Sequence, residues 1–237
     1  MAMQPTSRNA EVDAQAVAAS VSRVRARVNE AAATSGRAPG SVRILAAVKY
    51  VDAAACAALV AAGIEDLAEN RLASLAEKQA AAHGATWHFI GRLQSREAAS
   101  VAAQVDVIHT LCSDSAARRL AAVDGPTPAR LLVQVNVDDD PAKDGVPAAD
   151  VEAFLDALPA PLVVSGFMTM PALTADPAQS RRAFAELREL RDRLATTFAG
   201  RHELAELSMG TSQDYEVAIE EGATHVRLGR ILFAGAE

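Results

Sequence analysis

The stretch VRILAAVKYVDAAACAALVAAGIEDLAEN, residues 42–70, decides the fold. It opens on a short run of Ile, Leu, Val and Ala that suits a buried strand. An alanine-rich helical segment ending at Gly63 follows, and then a second short strand at DLAEN. Strand, helix and strand at this spacing imply one parallel βαβ unit. Lys49 stands at the end of the first run, and lysine is seldom buried without a partner. The chain has only three lysines, Lys49, Lys78 and Lys143, against twenty arginines, so a lysine at a strand end stands out. Taken alone, Lys49 is either the first solvated residue after a strand or a placed amine.

The same unit recurs along the chain. Further strand candidates are WHFIG, DVIHTLC, RLLVQVNVD, LVVSGFMTM, LAELSMG and HVRLG, which brings the count to eight, with helical stretches between them. Eight such units predict a single (β/α)8 TIM barrel in the α/β class. A doubly wound open sheet is the alternative. Residues 1–12 are polar and expected to be disordered, with the barrel over 13–237. Val17, Val21, Val24 and Val28 share one face of an N-terminal helix that Gly36 stops. Little follows the eighth strand except RILFAGAE, so this extra helix is expected to complete the outer ring, with no C-terminal β-domain.

Composition narrows the function. Half of the 237 residues are hydrophobic but 4% are aromatic, so alanine and small aliphatics must fill the core. A net charge of −7 with scattered arginines argues against nucleic acid or an anionic membrane as partner. Cys56 and Cys112 lack zinc-ligand spacing, so no metal site is expected. The N-terminus shows no secretory signal, and AAACAALVAAG is too short to span a bilayer. A cytoplasmic setting is the expectation.

In such a barrel, function sits at the C-terminal strand ends. Those ends carry Lys49, Glu69, Asn70, His88, His109, Asn136, Met168, Met170, residues 208–212 and residues 227–229. The loops after strands seven and eight of such barrels often cradle phosphate on backbone N–H groups, and SMGTS and RLG supply the small residues for it. An amine beside a phosphate cradle suits a phosphorylated aldehyde, since lysine forms Schiff bases with carbonyls.

The ordered set AAVKY, AEN, WHFIGRLQS, VQVNVDDDPAKDGV, GFMTM and LSMGTSQDYEVAIEEGATHVRLGRILFAG resembles the pyridoxal phosphate homeostasis proteins from about residue 43 onward. The resemblance implies a fold-type III pyridoxal-phosphate barrel similar to the N-terminal domain of alanine racemase, with pyridoxal 5'-phosphate (PLP) on Lys49 as a Schiff base. It implies a cofactor-binding set of Lys49, Asn70, His88, Met168, Ser208, Gly210, Thr211, Ser212, Arg227, Gly229 and Arg230. Departures are Ala68 for the family's glycine, Thr211 for its methionine, Arg230 for a small residue, and Arg96–Glu97 for Asn-Lys. The implied role is to hold and supply PLP in vitamin B6 and amino-acid homeostasis, without robust turnover and with no catalytic residue. Partners are then PLP, PLP-dependent apoenzymes and amino acids, and a monomer is expected. An amino-acid racemase is the enzyme alternative, and a cofactor-free Schiff-base aldolase a third reading. Racemisation needs a base on each face of the cofactor. Tyr50, next to Lys49 on a strand, is expected to point away from it.

Overall fold

The computed structural model describes residues 13–123, 129–172 and 176–233. The N-terminal stretch expected to be disordered lies outside them.

Eight parallel strands form a closed ring. They are β1 (Arg43–Ala47), β2 (Asp66–Glu69), β3 (Thr86–Phe89), β4 (Val107–Leu111), β5 (Arg130–Asn136), β6 (Val164–Met168), β7 (Glu206–Thr211) and β8 (His225–Leu228). Neighbours run β4-β3-β2-β1-β8-β7-β6-β5, and β4 pairs with β5 to close the barrel. The open-sheet alternative is thereby excluded. A two-residue strand, Val146–Pro147, adds to the end of β5.

Helices follow the strands around the outside: α2 (Ala53–Ala61), α3 (Leu75–Ala81), α4 (Ala98–Ala102), α5 (Asp114–Ala121), α6 (Val151–Asp156), α7 (Arg181–Thr197) and α8 (Tyr215–Glu220). The N-terminal α1 (Ala14–Thr34) packs between α8 and α2, as the valine stripe implies. Asp13 caps it by accepting from the backbone N–H groups of Gln15 and Ala16. Arg25 donates to Gly63 O at 2.7 Å and Arg37 to Ala223 O at 2.8 Å, which ties both sides of α1 to its neighbours.

Strand alternation sorts side chains onto two surfaces. The outward set includes Ile44, Ala46, Leu67, Phe89, Ile108, Val133, Phe167, Met209 and Val226, buried against the helices in one continuous core. Each buried aliphatic side chain of this kind contributes about 1.5–3 kcal/mol. Alanine-rich helices such as α2 let the ring sit close despite the scarcity of aromatics. The inward set is largely polar. Only Val107, Leu132 and Met168 form an apolar cluster there, apart from the main core. Barrels of this kind ordinarily fill the interior with branched aliphatics. Here several histidines occupy it instead, and Arg43–Asp66 and Arg130–Glu206 ion pairs close its N-terminal end, with both arginines partly exposed.

The packing between β6 and β7 leaves no room for a side chain at Gly166, where a Cβ would fall 2.0 Å from Glu206 O. Because the obstacle is strand backbone, it cannot swing aside. Gly166→Ala is expected to destabilise by at least about 3 kcal/mol. Gly40→Ala, where nothing lies within 4 Å but φ is +80°, is expected to cost about 1–2 kcal/mol. Urea unfolding midpoints check both.

Candidate functional site

The C-terminal end of β1 breaks earlier than the sequence suggests. The strand stops at Ala47, and Lys49 and Tyr50 lie in an exposed turn. Alternation therefore does not hold there: the Lys49 ammonium sits 5.0 Å from the Tyr50 ring centroid, and the expectation that the two point apart is corrected. The other two lysines are spoken for. Lys143 pairs with Asp138, and Lys78 is buried against Glu69. Among the described residues Lys49 is the lysine without a carboxylate partner.

The Lys78–Glu69 pair supports this turn from below. Lys78 Nζ also donates to Val48 O at 2.7 Å, one residue before Lys49. Glu69 accepts from the Asn70 N–H at 2.7 Å and from Ser74 Oγ at 3.2 Å. A buried charge left without its partner costs several kcal/mol, so these two groups hold the ends of β1 and β2 as a unit. Asn70 is half-buried, and its side-chain amide has no partner among the described residues. Gly91 presses on it closely; a Cβ at Gly91 would lie 2.2 Å from Asn70 O. Ala68, in place of the family's glycine, is fully buried within β2 and fits without disturbing the ladder.

The turns after β7 and β8 meet. Gly229 N–H donates to Ser212 Oγ at 3.3 Å, and a Cβ at Gly229 would lie 3.7 Å from Ala47 O, which places this junction beside the Lys49 turn. Gly210 takes φ +91°, and a Cβ there would fall 2.6 Å from the Ala218 Cβ, so only glycine lets β7 turn into α8. Among the described residues, the N–H groups of Ser212 and Arg230 donate to no protein acceptor. These two amides and the Ser212 hydroxyl proton are the open donors at this junction, while the Gly229 N–H is taken by Ser212 Oγ. Thr211 does not join it. Its N–H and hydroxyl both donate to Asp214 Oδ1, at 2.7 and 3.0 Å, so a ligand contact by its own donors would have to displace the carboxylate. Arg230 has an exposed side chain.

Arg227 lies across the top of the barrel. Its Nη1 donates to Ser208 O at 2.7 Å and Ser208 Oγ at 2.8 Å, and its Nη2 to Thr169 O at 2.7 Å. Three of its five N–H groups are thus used, leaving the Nε–H and one Nη2–H. Burial lowers its pKa to about 10 against a small opposing effect of Asp214, so it stays charged at neutral pH. It is not the partner of Glu220 or Glu221, which pair with Arg181.

Beneath Arg227 the barrel interior carries a chain of contacts. His109 Nδ1 lies 2.9 Å from Ser208 Oγ, His109 Nε2 lies 2.8 Å from His88 Nδ1, and His88 Nε2 lies 2.9 Å from Asp66 Oδ1. Arg43 Nε closes the far end on Asp66 Oδ2 at 3.0 Å. Both ring nitrogens of His88 are occupied and the residue is fully buried, so the direct cofactor contact expected of it has no free polar atom. Ser208 is likewise engaged on both sides, and Met168 packs on Val107 and Leu132 inside the barrel. Asp66 and Thr169 were not read from sequence, although Asp66 falls in the inward phase of its strand; His109 was read as a strand-end residue but not placed in the cofactor-binding set. Burial and the neighbouring His88, His225, Arg227 and Arg130 hold the His109 pKa well below its usual value.

The chain matches the family model of the alanine racemase N-terminal domain over residues 13–237. It is 39% identical over 228 residues to the pyridoxal phosphate homeostasis protein of Pseudomonas aeruginosa, covering 93% of this chain and 96% of that one. It is 36% identical over 219 residues to the protein of the same name from Aquifex aeolicus, with 90% and 95% covered. The chain belongs to the pyridoxal phosphate homeostasis protein family. Among solved structures, PipY of Synechococcus elongatus with PLP bound matches with a TM-score of 0.78 and 31% identity over 92% of this chain and 100% of that one.

His225 completes the interior and carries a prediction. Its ring stands 6.2 Å from that of His88 and 6.1 Å from that of His109, and its Nε2 is buried without a partner. Burial, with His88, Arg43 and Arg130 adding to it against Asp66, lowers its pKa to about 3. The folded state therefore keeps His225 neutral while the unfolded chain protonates it near pH 6.5. Its contribution to stability is complete above pH 6.5 and is lost as pH falls toward 3, at about 1.4 kcal/mol per pH unit. His225→Met should flatten the loss of stability between pH 6 and 5 by about that slope, read from urea unfolding at each pH.

Proposed function

We propose that this protein binds pyridoxal 5'-phosphate on Lys49 and releases it to amine acceptors, holding and supplying the cofactor in vitamin B6 and amino-acid homeostasis rather than turning over a substrate. The observation that carries the reading is the placement of one unpaired, exposed lysine beside a turn of open backbone N–H groups, with a fixed guanidinium between the strands below. The residues present fit the cofactor. Ser212 and Arg230 offer free N–H donors to a phosphate, Gly229 one that would have to leave Ser212 Oγ, Gly210 and Gly229 keep the backbone bare, and the Asn70 side-chain amide is free at the end of β2. Its relatives are named for PLP homeostasis, and PipY has been solved with PLP bound.

When bound, PLP supplies an aldehyde that condenses reversibly with an amine, with loss of water. Lys49 Nζ is the amine of this chain for that bond, and its exposure leaves it open to exchange with an incoming amine. The donors at Ser212, Gly229 and Arg230 anchor the phosphate while that exchange proceeds. Arg227 holds its proton at neutral pH, so a ring nitrogen facing its free N–H accepts a hydrogen bond and stays unprotonated. A ring kept in that state withdraws electrons weakly, which disfavours carbanion chemistry. Tyr215, the other tyrosine, is buried on α8 with its hydroxyl on Glu216, and burial raises its pKa to about 12, so it makes a poor second base. PLP-dependent apoenzymes and free amino acids are the acceptors this reading implies.

Borohydride reduction of protein incubated with PLP should place a pyridoxyl mass on the Lys49 peptide, and Lys49→Ala should keep its melting temperature while losing the visible absorption. Label found only on Lys78 or Lys143 would refute the assignment. Incubation with L-alanine in deuterated water should give no multi-turnover racemisation; sustained conversion that disappears in Lys49→Ala would establish the enzyme instead.

A further inference from the structure

The contacts beneath Arg227 determine where each proton lies. Arg227 can only donate, so Ser208 Oγ accepts from Nη1 at 2.8 Å. The Ser208 hydroxyl proton then has one acceptor in reach, His109 Nδ1 at 2.9 Å. With Nδ1 accepting, His109 carries its proton on Nε2 and donates to His88 Nδ1 at 2.8 Å. His88 in turn carries its proton on Nε2 and donates to Asp66 Oδ1 at 2.9 Å. The reverse order, with His88 doubly protonated and His109 donating from Nδ1, would leave Ser208 Oγ accepting twice and its own proton without an acceptor. In a fully buried site that costs about 1–3 kcal/mol.

Every donor therefore points the same way, from Arg227 through Ser208, His109 and His88 to Asp66, where Arg43 supplies the closing positive charge. Arg227 is buried without a carboxylate in contact, its hydrogen bonds going to Ser208 and Thr169. The nearest anion reached by continuous hydrogen bonding is Asp66, at the opposite end of the barrel interior. Aligned dipoles of this kind polarise one another and stabilise the charge at their head.

We infer that Asp66, His88, His109 and Ser208 act as positioning residues, a one-way hydrogen-bond chain that fixes the Arg227 guanidinium and its remaining N–H groups toward the cofactor ring. The inference rests on the proposed function for what Arg227 faces, while the direction of the chain stands on the protein alone. Asp66 is thereby coupled to the ligand site without touching it.

Two measurements test this. Long-range nitrogen–proton NMR of the imidazole rings in the unmodified, ligand-free chain at neutral pH should show His88 and His109 both protonated on Nε2 with Nδ1 bare, assigned by loss of each signal in His88→Gln and His109→Gln. A proton on Nδ1 of either ring would overturn the chain. In the PLP-loaded protein, Asp66→Asn should raise the PLP dissociation constant about tenfold and shift the visible absorption maximum, while borohydride still labels Lys49. A folded Asp66→Asn protein with unchanged absorption and affinity would overturn the coupling; if that variant does not fold, the ring-proton result decides. Failure of the unmodified protein to take up PLP would refute the proposed function and leave the ring-proton result standing.

Discussion

A closed parallel barrel with charged and imidazole groups inside needs most of those groups to satisfy one another, because an unpaired buried charge costs several kcal/mol; among the described residues Glu206 Oε2 and His225 Nε2 are the buried side-chain polar atoms left over. That requirement shapes the molecule. Arg43 meets Asp66, Arg130 meets Glu206, and the histidines of β3 and β4 bond each other and their neighbours. The strand register is specified as a result. Slipping β2 by one residue would turn Asp66 toward the helices and Leu67 into the ring, breaking the Arg43 pair and emptying a place in the outer core. The apolar outer layer supplies most of the driving force, and the polar inner layer selects one arrangement of the strands.

The same inner layer sets what the mouth can do. At the ends of β7 and β8 the backbone turns on Gly210 and Gly229 and leaves N–H groups unpaired; at the end of β1 it leaves an exposed lysine. Between them, Arg227 is held by three hydrogen bonds, two to Ser208 on β7 and one to Thr169 just past β6. Lys49 is supported differently. Its side chain rests on the Tyr50 ring, but the carbonyl just before it is gripped by the buried Lys78–Glu69 pair. A fixed backbone with a free side chain suits the exchange that the proposed function asks of Lys49.

Much of this was legible in the sequence, and the failures have physical reasons. All eight strands could be read because a parallel barrel buries both faces and so needs short apolar runs between helices. Lys49 stood out because lysine is scarce in this chain, and the two alternatives, Lys78 and Lys143, prove to be ion-paired. Tyr50 was misread by a boundary: β1 ends at Ala47, and side-chain alternation has no meaning in the turn beyond it. His88 was read as a strand-end ligand because it lies near the end of β3, yet its ring points into a network whose members come from five strands. Hydrogen bonds between residues 22, 21 and 99 positions apart leave no local pattern to find. The phase did leave one. Asp66, His88, His109, Ser208 and Arg227 all fall on the inward side of their strands, where aliphatic residues would be the ordinary choice.

Placing a guanidinium rather than a carboxylate at Arg227 has a consequence for the whole barrel. A carboxylate there would need a compensating cation nearby. A guanidinium instead needs acceptors, and the fold supplies them as two main-chain carbonyls and one hydroxyl, none of which can take its proton. Among the described residues no carboxylate touches it, and Asp214 is the acid that acts on it through space. Asp66 ends the chain of contacts below, and it is itself kept ionised, burial being outweighed by His88 and Arg43, which lower its pKa. Near Lys49 the acid at the strand ends, Glu69, is taken by Lys78. Lys49 is thus not held in an ion pair, and it remains available for the bond that the proposed function requires of it.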